Sequence, residues 1–130
     1  MTPSEIITQE AKQVGYDADI MLRKINKLVQ GKAGVLLQQN NSLMLLIGIG
    51  KAVSEAHFFI ADDKATLKKS MAHFAEQLKN SELNTIYGTV DKQHNPLLEN
   101  AFDLLHKNKI NIQKSNVPRY LWMAQLKGAA

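Results

Sequence analysis

The strongest constraint on the fold is the order in which hydrophobic residues change from helical to strand-like spacing. Ile7, Ala11 and Val14 recur at helical spacing, and residues 18–30 carry a second helical stripe. From Val35 the pattern becomes strand-like, and the full order is two helices, three strands, a helix, a strand, a helix and two strands. This order, ααβββαβαββ, predicts one α/β (α+β) domain over residues 1–130, with a helical pair at 1–31 and a mixed sheet with two helices at 33–126.

Local signals place the ends of these elements. Thr2-Pro3-Ser4-Glu5 is a helix start with a capping box, and Asn95-Pro96 is a second helix start. Asp17 or Asp19 is predicted to cap the second helix, and Gly31 to end it. Turns are predicted at 40–41 and 115–118, and strands at 35–38, 43–47, 53–60, 84–90, 110–113 and 119–126.

Composition excludes several classes of protein. The chain has 130 residues, 45% hydrophobic and 22% charged, enough to bury a core without disulfides or metal. It has no cysteine, which excludes zinc fingers and thiol nucleophiles. The first residues lack the basic and apolar segments of a signal peptide, and the longest apolar run, Leu43–Ile47, is too short to span a membrane. No membrane association is therefore expected.

The net charge of +4 comes from basic residues in small groups, at Arg23, Lys24 and Lys27 and at Lys64, Lys68 and Lys69. Such groups are typical of solvated helix faces, and a phosphate-binding patch is the alternative interpretation. Because no base-stacking aromatic motif accompanies them, nucleic acid is not an expected partner.

The third predicted strand carries the main candidate for acid–base chemistry. Alternation places Glu55 and His57 on one face of this strand, where a carboxylate and an imidazole could couple. The alternative is that this face only borders solvent or a partner. His73, His94 and His106 have no partner at ligand spacing, so no metal site is predicted.

The element order and one segment resemble the Gcn5-related N-acetyltransferase (GNAT) family without its first strand. Family members often carry Asn-x-x-Ala-x-x-Leu-Tyr-x-x-x-Gly-Phe, and residues 101–110 read AFDLLHKNKI. The alanine and leucine match at Ala101 and Leu104. The family tyrosine, often the general acid, falls on Leu105, and the family glycine falls on Lys109. The resemblance thus implies that packing residues are kept and chemical residues are lost.

The resemblance also implies an acetyl-CoA pyrophosphate loop between the third strand and the third helix. The family pattern there is rich in glycine, whereas this chain has no glycine between Gly50 and Gly88. Asp62 and Asp63 replace it and are interpreted as caps of the helix. Two carboxylates would repel a pyrophosphate, and Ala65 and Leu67 would crowd it, so no cofactor is expected.

The resulting function hypothesis is a non-catalytic, acetyltransferase-like pseudoenzyme that binds protein. The opening TPSEIITQEAKQVGYD and the closing NVPRYLWMAQ resemble small proteins from the structural gene clusters of tailed bacteriophages. This resemblance implies a virion structural component at the capsid surface or head–tail region, present in several copies, with virion or cellular proteins as partners. It would be found in the virion, or in the host cytoplasm during assembly. The missing first strand would expose a sheet edge at 35–38 or 43–47.

Two other functions stay open. An active N-acetyltransferase with a divergent loop would use Glu55 as base and Tyr87 or water as acid. Acetyl-CoA would then contact the backbone amides of Ala61, Asp62, Asp63, Lys64 and Ala65. A small regulatory or nucleic-acid-binding domain would use the basic groups, with binding that depends steeply on salt.

Overall fold

A computed structural model describes the backbone of residues 1–50, 52–90, 97–117 and 119–126. Over these residues the chain is α/β (α+β), in the predicted order ααβββαβαββ. The helices are α1 (Pro3–Val14), α2 (Ala18–Gln30), α3 (Lys64–Lys79) and α4 (Leu97–Lys107). The strands are β1 (Gly34–Gln39), β2 (Ser42–Gly50), β3 (Val53–Ile60), β4 (Thr85–Val90), β5 (Asn111–Val117) and β6 (Arg119–Gln125).

Most helix ends follow the local signals in the sequence. Thr2 and Glu5 form the predicted capping box, and the Asp17 carboxylate accepts a hydrogen bond from the Ile20 amide as the cap of α2. Gly15 ends α1 with a left-handed φ of 77°. Gly31 has a φ of −78°, however, and the left-handed residue after α2 is Lys32. The predicted helix start at Asn95-Pro96 lies outside the described residues.

The six strands form one mixed sheet in the order β1-β2-β3-β4-β6-β5. All neighbouring pairs are antiparallel except β3 and β4, which run parallel. The parallel register joins Val53–Glu55 to Thr85–Tyr87, three residue pairs in all. The sheet is therefore two antiparallel halves, β1-β2-β3 and β4-β6-β5, joined by a short seam.

Helices cover both faces of the sheet. On the α3/α4 face, side chains from Met44, Phe58, Ile86 and Trp122 pack against the two helices. On the α1/α2 face, Leu43, Leu45 and Phe59 pack against Ile6, Ile7 and Ile25. The two faces of β3 thus divide as strand alternation predicts, and β2 is covered on both sides.

Two predictions about the strands need correction. Residues 115–117, predicted as a turn, continue β5, because Ser115, Asn116 and Val117 pair with Leu121, Tyr120 and Arg119. Of the two strands proposed as an exposed edge, β2 is interior, between β1 and β3. The other alternative, residues 35–38, is confirmed, because β1 is an edge strand of the sheet, and its Val35 side chain is 55% exposed.

Candidate functional site

The start of α3 is where the resemblance would place the pyrophosphate. The Asp63 carboxylate caps this helix and accepts a hydrogen bond of 2.7 Å from the Thr66 amide. That bond lowers the pKa of Asp63, as does a weaker one from the Ala65 amide. The Thr66 amide and, more weakly, the Ala65 amide in the first turn of α3 therefore already donate to a carboxylate of the chain itself.

Asp62 is not a helix cap, which corrects half of the sequence interpretation. Its carboxylate is only 4% exposed and lies against the turn between β1 and β2. Oδ1 accepts from the Asn41 amide at 2.9 Å, and Oδ2 accepts from the Ser42 and Ser70 hydroxyls, each at 2.7 Å. Asp62 thus ties the β1–β2 turn to α3 and does not face the start of the helix.

These residues do not fit a CoA pyrophosphate. The exposed Asp63 carboxylate lies where the phosphates would be, and its charge would repel them. Ala61 packs against the α1/α2 face, while Lys64, Ala65, Lys68 and Lys69 are exposed on or beside the first turns of α3. Nearby lysines would offset part of the repulsion, but the Thr66 amide would still donate to the Asp63 carboxylate.

The space beside the β3–β4 seam, on the α3/α4 face, is filled by aromatic side chains. The rings of Phe102 and Trp122 have centroids 5.1 Å apart, and the Phe58 ring lies 6.0 Å from Trp122 and 6.3 Å from Phe74. All four residues are at most 8% exposed. The cleft between the third and fourth strands, where the resemblance would place acetyl-CoA, is on this side a packed core.

The end of α4 has the left-handed backbone conformation that glycine favours. Lys109, at the family glycine position, has a left-handed φ of 66°. The Ile110 amide donates to the Leu105 carbonyl and the Lys109 amide to the His106 carbonyl, which is a Schellman motif. Leu105, at the family tyrosine position, is completely buried with Ile110 in the core. Its side chain is therefore a packing residue.

Because lysine is strained in the left-handed conformation, we expect Lys109→Gly to stabilise the protein by about 0.5–1 kcal/mol. Urea unfolding followed by circular dichroism would measure the change. Lys107→Gly is the matched control: glycine inside the last turn of the helix should destabilise by about 0.5–1 kcal/mol. A loss of stability in Lys109→Gly would contradict the argument from geometry.

The structure brings the candidate acid–base residues together on the α1/α2 face. The Glu55 Oε1 and His57 Nε2 atoms are 3.1 Å apart, and these side chains are 31% and 37% exposed. Tyr87, half-buried, pairs in register with Glu55 on one side and with Met123 on the other. Helices α1 and α2 pack on β1–β3, so within the described part of the chain no helix covers this end of the face, where Met123 is 40% exposed.

A groove of about 450 Å³ lies between α2 and the same face of the sheet. Ile25, Leu45, Ile47 and Phe59 contribute apolar lining, together with Met21. Its other lining residues are Tyr16, Asp17, Ile20, Lys24 and His57. The sequence pattern does not predict this groove, and the only local sign of it is Ile20, an apolar residue that lies beside the buried stripe of α2.

The described residues include neither a metal-binding group nor a membrane-spanning helix. There, no three histidine, aspartate or glutamate side chains are grouped so that they could hold a metal ion. No helix in the described part of the chain combines the length and apolar character needed to cross a membrane. His73 and His106 are exposed, and His94 lies outside the described residues.

Comparison with known proteins gives no assignment: no protein-family model matches the chain, and no curated protein matches it either.

Proposed function

We propose that this chain is a non-catalytic, acetyltransferase-like protein that works by binding other proteins. The observation that carries the proposal is the Asp63 carboxylate, which stands at the start of α3 and accepts from the Thr66 amide there. An anion site filled by the chain's own carboxylate is not available to a phosphate. The aromatic core beside the seam supports the same conclusion, since it fills the cleft on the α3/α4 face.

The likeness to acetyltransferases remains part of the proposal, and three features support it. The element order agrees with that family lacking its first strand. The third and fourth strands form the parallel pair in the middle of the sheet. Lys109 holds the left-handed conformation at the position of the family glycine. A scaffold that keeps its backbone and loses its chemical groups is typical of a pseudoenzyme.

The proposal extends to assembly in a bacteriophage virion, at the capsid surface or head–tail region. Strand β1 is the outer strand of its half of the sheet, and its Val35 side chain is 55% exposed. Such an edge presents unpaired backbone groups on which another protein can add a strand. Mass spectrometry of purified virions from a phage that encodes the chain tests this, and its absence from the particles would contradict the virion role.

Isothermal titration with acetyl-CoA and with CoA tests the loss of cofactor binding. Because Asp63 holds the Thr66 amide and its carboxylate would repel phosphate, we expect no saturable heat up to about 1 mM ligand. Asp63→Ala, which frees the Thr66 amide, is the comparison variant, with folding checked by circular dichroism. Micromolar binding by the unmodified chain would contradict the proposal, since the loop would then have to rearrange around the phosphates.

An active N-acetyltransferase is the second candidate, favoured by one observation. Glu55 is paired with His57 at 3.1 Å on an open face, beside Tyr87 on the next strand. A carboxylate so placed can accept a proton from an amine, and a phenol can return one to a thiolate. If CoA binds, acetyl transfer to an amine that is lost in Glu55→Gln and in Tyr87→Phe would favour this candidate.

A further inference from the structure

The side of α2 that borders the groove has exposed apolar side chains typical of a contact surface. Tyr16, just before the helix, is 55% exposed and Ile20 is 50% exposed, both more than is usual for large side chains of their kind. Both residues also line the groove between α2 and the sheet. The helix therefore carries a projecting apolar side chain directly beside an apolar depression.

Charge is distributed unevenly along the same helix. Asp17 and Asp19 lie at its start, whereas Arg23, Lys24 and Lys27 lie from its middle onward, and all five side chains are exposed. Asp17 and Lys24 both line the groove and are seven residues, about 10.5 Å, apart along the helix axis. A surface with one acidic end and one basic end is complementary to itself when turned around.

We propose that α2 is a self-association surface on which α2 of a second copy packs antiparallel, about a two-fold axis near Ile20 and Met21. Asp17 of each copy then lies opposite Lys24 of the other, and Ile20 of each copy enters the groove of the other. The contact is isologous, so it closes as a dimer and does not extend into a filament. Antiparallel packing also opposes the two helix dipoles favourably.

The distribution of charge along α2 favours a second copy of the chain over other protein partners. A strongly acidic or basic partner would meet like charge at one end of α2, whereas a second copy meets opposite charge at both ends. The capping bond from the Ile20 amide to Asp17 Oδ1 is compatible with the contact, because a carboxylate has lone pairs for several donors. An interface built around one helix pair is small, so the dimer is expected to be weak.

Sedimentation equilibrium of the full chain from about 5 µM to about 500 µM tests the proposal. The measurement is repeated on variants in which the charge at position 17 or position 24 is reversed. Lys24→Asp and Asp17→Lys should each weaken self-association at least about tenfold, because each places like charges in contact. An equimolar mixture of the two variants restores opposite charges at both contacts and should recover the dimer. Circular dichroism checks that each variant is folded, since Asp17→Lys removes a helix cap.

Ile20→Glu and Val35→Glu form a matched pair, since each places a carboxylate at an exposed apolar position of similar accessibility. We expect Ile20→Glu to abolish the dimer and Val35→Glu to leave it intact. A chain that is monomeric throughout, a mixture that fails to reassociate, or a dimer lost only in Val35→Glu would each overturn the proposal. None of these outcomes depends on whether the chain binds CoA or acts as an enzyme.

Discussion

We expect Gly88→Ala to lower the free energy of unfolding by about 3 kcal/mol, a large part of the stability of a domain this size. A Cβ atom at this position would lie 2.7 Å from the Trp122 Nε1 atom and 2.8 Å from the Ala56 carbonyl oxygen. The second contact is with backbone of the neighbouring strand and cannot be relieved by a side-chain rotation. The seam between the two halves of the sheet would have to open, and the indole would have to leave its place in the core.

Urea unfolding followed by far-ultraviolet circular dichroism would measure this loss. Gly48→Ala is the control, because Gly48 also lies in a strand and a Cβ there meets nothing within 4 Å. We expect that variant to change the free energy of unfolding by less than about 0.5 kcal/mol. Equal stabilities for the two variants would show that the approach of Ala56 and Trp122 to Gly88 is not as close as described.

The second large effect is expected from Asp62→Ala, which should cost about 3 kcal/mol. The variant leaves the Asn41 amide and the Ser42 hydroxyl without their acceptor in a buried site. Ser70 loses less, because its hydroxyl can donate to the Gln39 carbonyl at 3.2 Å. The same unfolding measurement applies, and hydrogen exchange at the Asn41 amide would show whether the loss is local to the β1–β2 turn.

Asp63→Ala is the natural comparison, since the two aspartates are adjacent in sequence and differ in environment. Asp63 is exposed, and its replacement removes the capping bond from Thr66 and the weaker one from Ala65 at a solvated helix end, so it should cost clearly less than that of Asp62. A larger loss in Asp63→Ala than in Asp62→Ala would contradict the assignment of Asp62 as a buried connection between turn and helix.

The elements that the sequence predicts well are those with a local cause. The capping box at Thr2 and Glu5 and the Asn40-Asn41 turn depend on residues a few positions apart, and both are present. The alternating strand β3 also divides its side chains between the two faces as predicted. Local patterns carry this information because capping and alternation involve only near neighbours.

The features that the sequence does not predict depend on contacts between residues that are far apart in the chain. Asp62 and Asp63 have the same side chain and adjacent positions, and only the fold shows that Ser42 and Ser70 surround the first of them. Ser70 was an available signal, because it falls on the buried stripe of α3 with Leu67, Met71 and Phe74 and so needed a polar partner. The continuation of β5 through residues 115–117 is likewise fixed by pairing with β6, which overrides the turn composition there.

The candidate site likewise has one part that local sequence patterns predict and another part that depends on distant residues. The shared face of Glu55 and His57 follows from strand alternation, and the structure places them 3.1 Å apart. The pairing of Tyr87 with Glu55 depends on the register of a parallel pair, which no local pattern specifies. The groove beside α2 arises from how a helix lies on a sheet, so it was not predictable from spacing alone.

The place of Trp122 gives the molecule a built-in optical reporter. The chain has one tryptophan, and its indole packs between Phe58 of one antiparallel half and Phe102 of α4, against Gly88 at the seam. Intrinsic fluorescence therefore originates at the junction where the two halves meet. Its emission during refolding follows the packing of the indole against Phe58 of the other half as well as against Gly88 of β4 and Phe102 of α4.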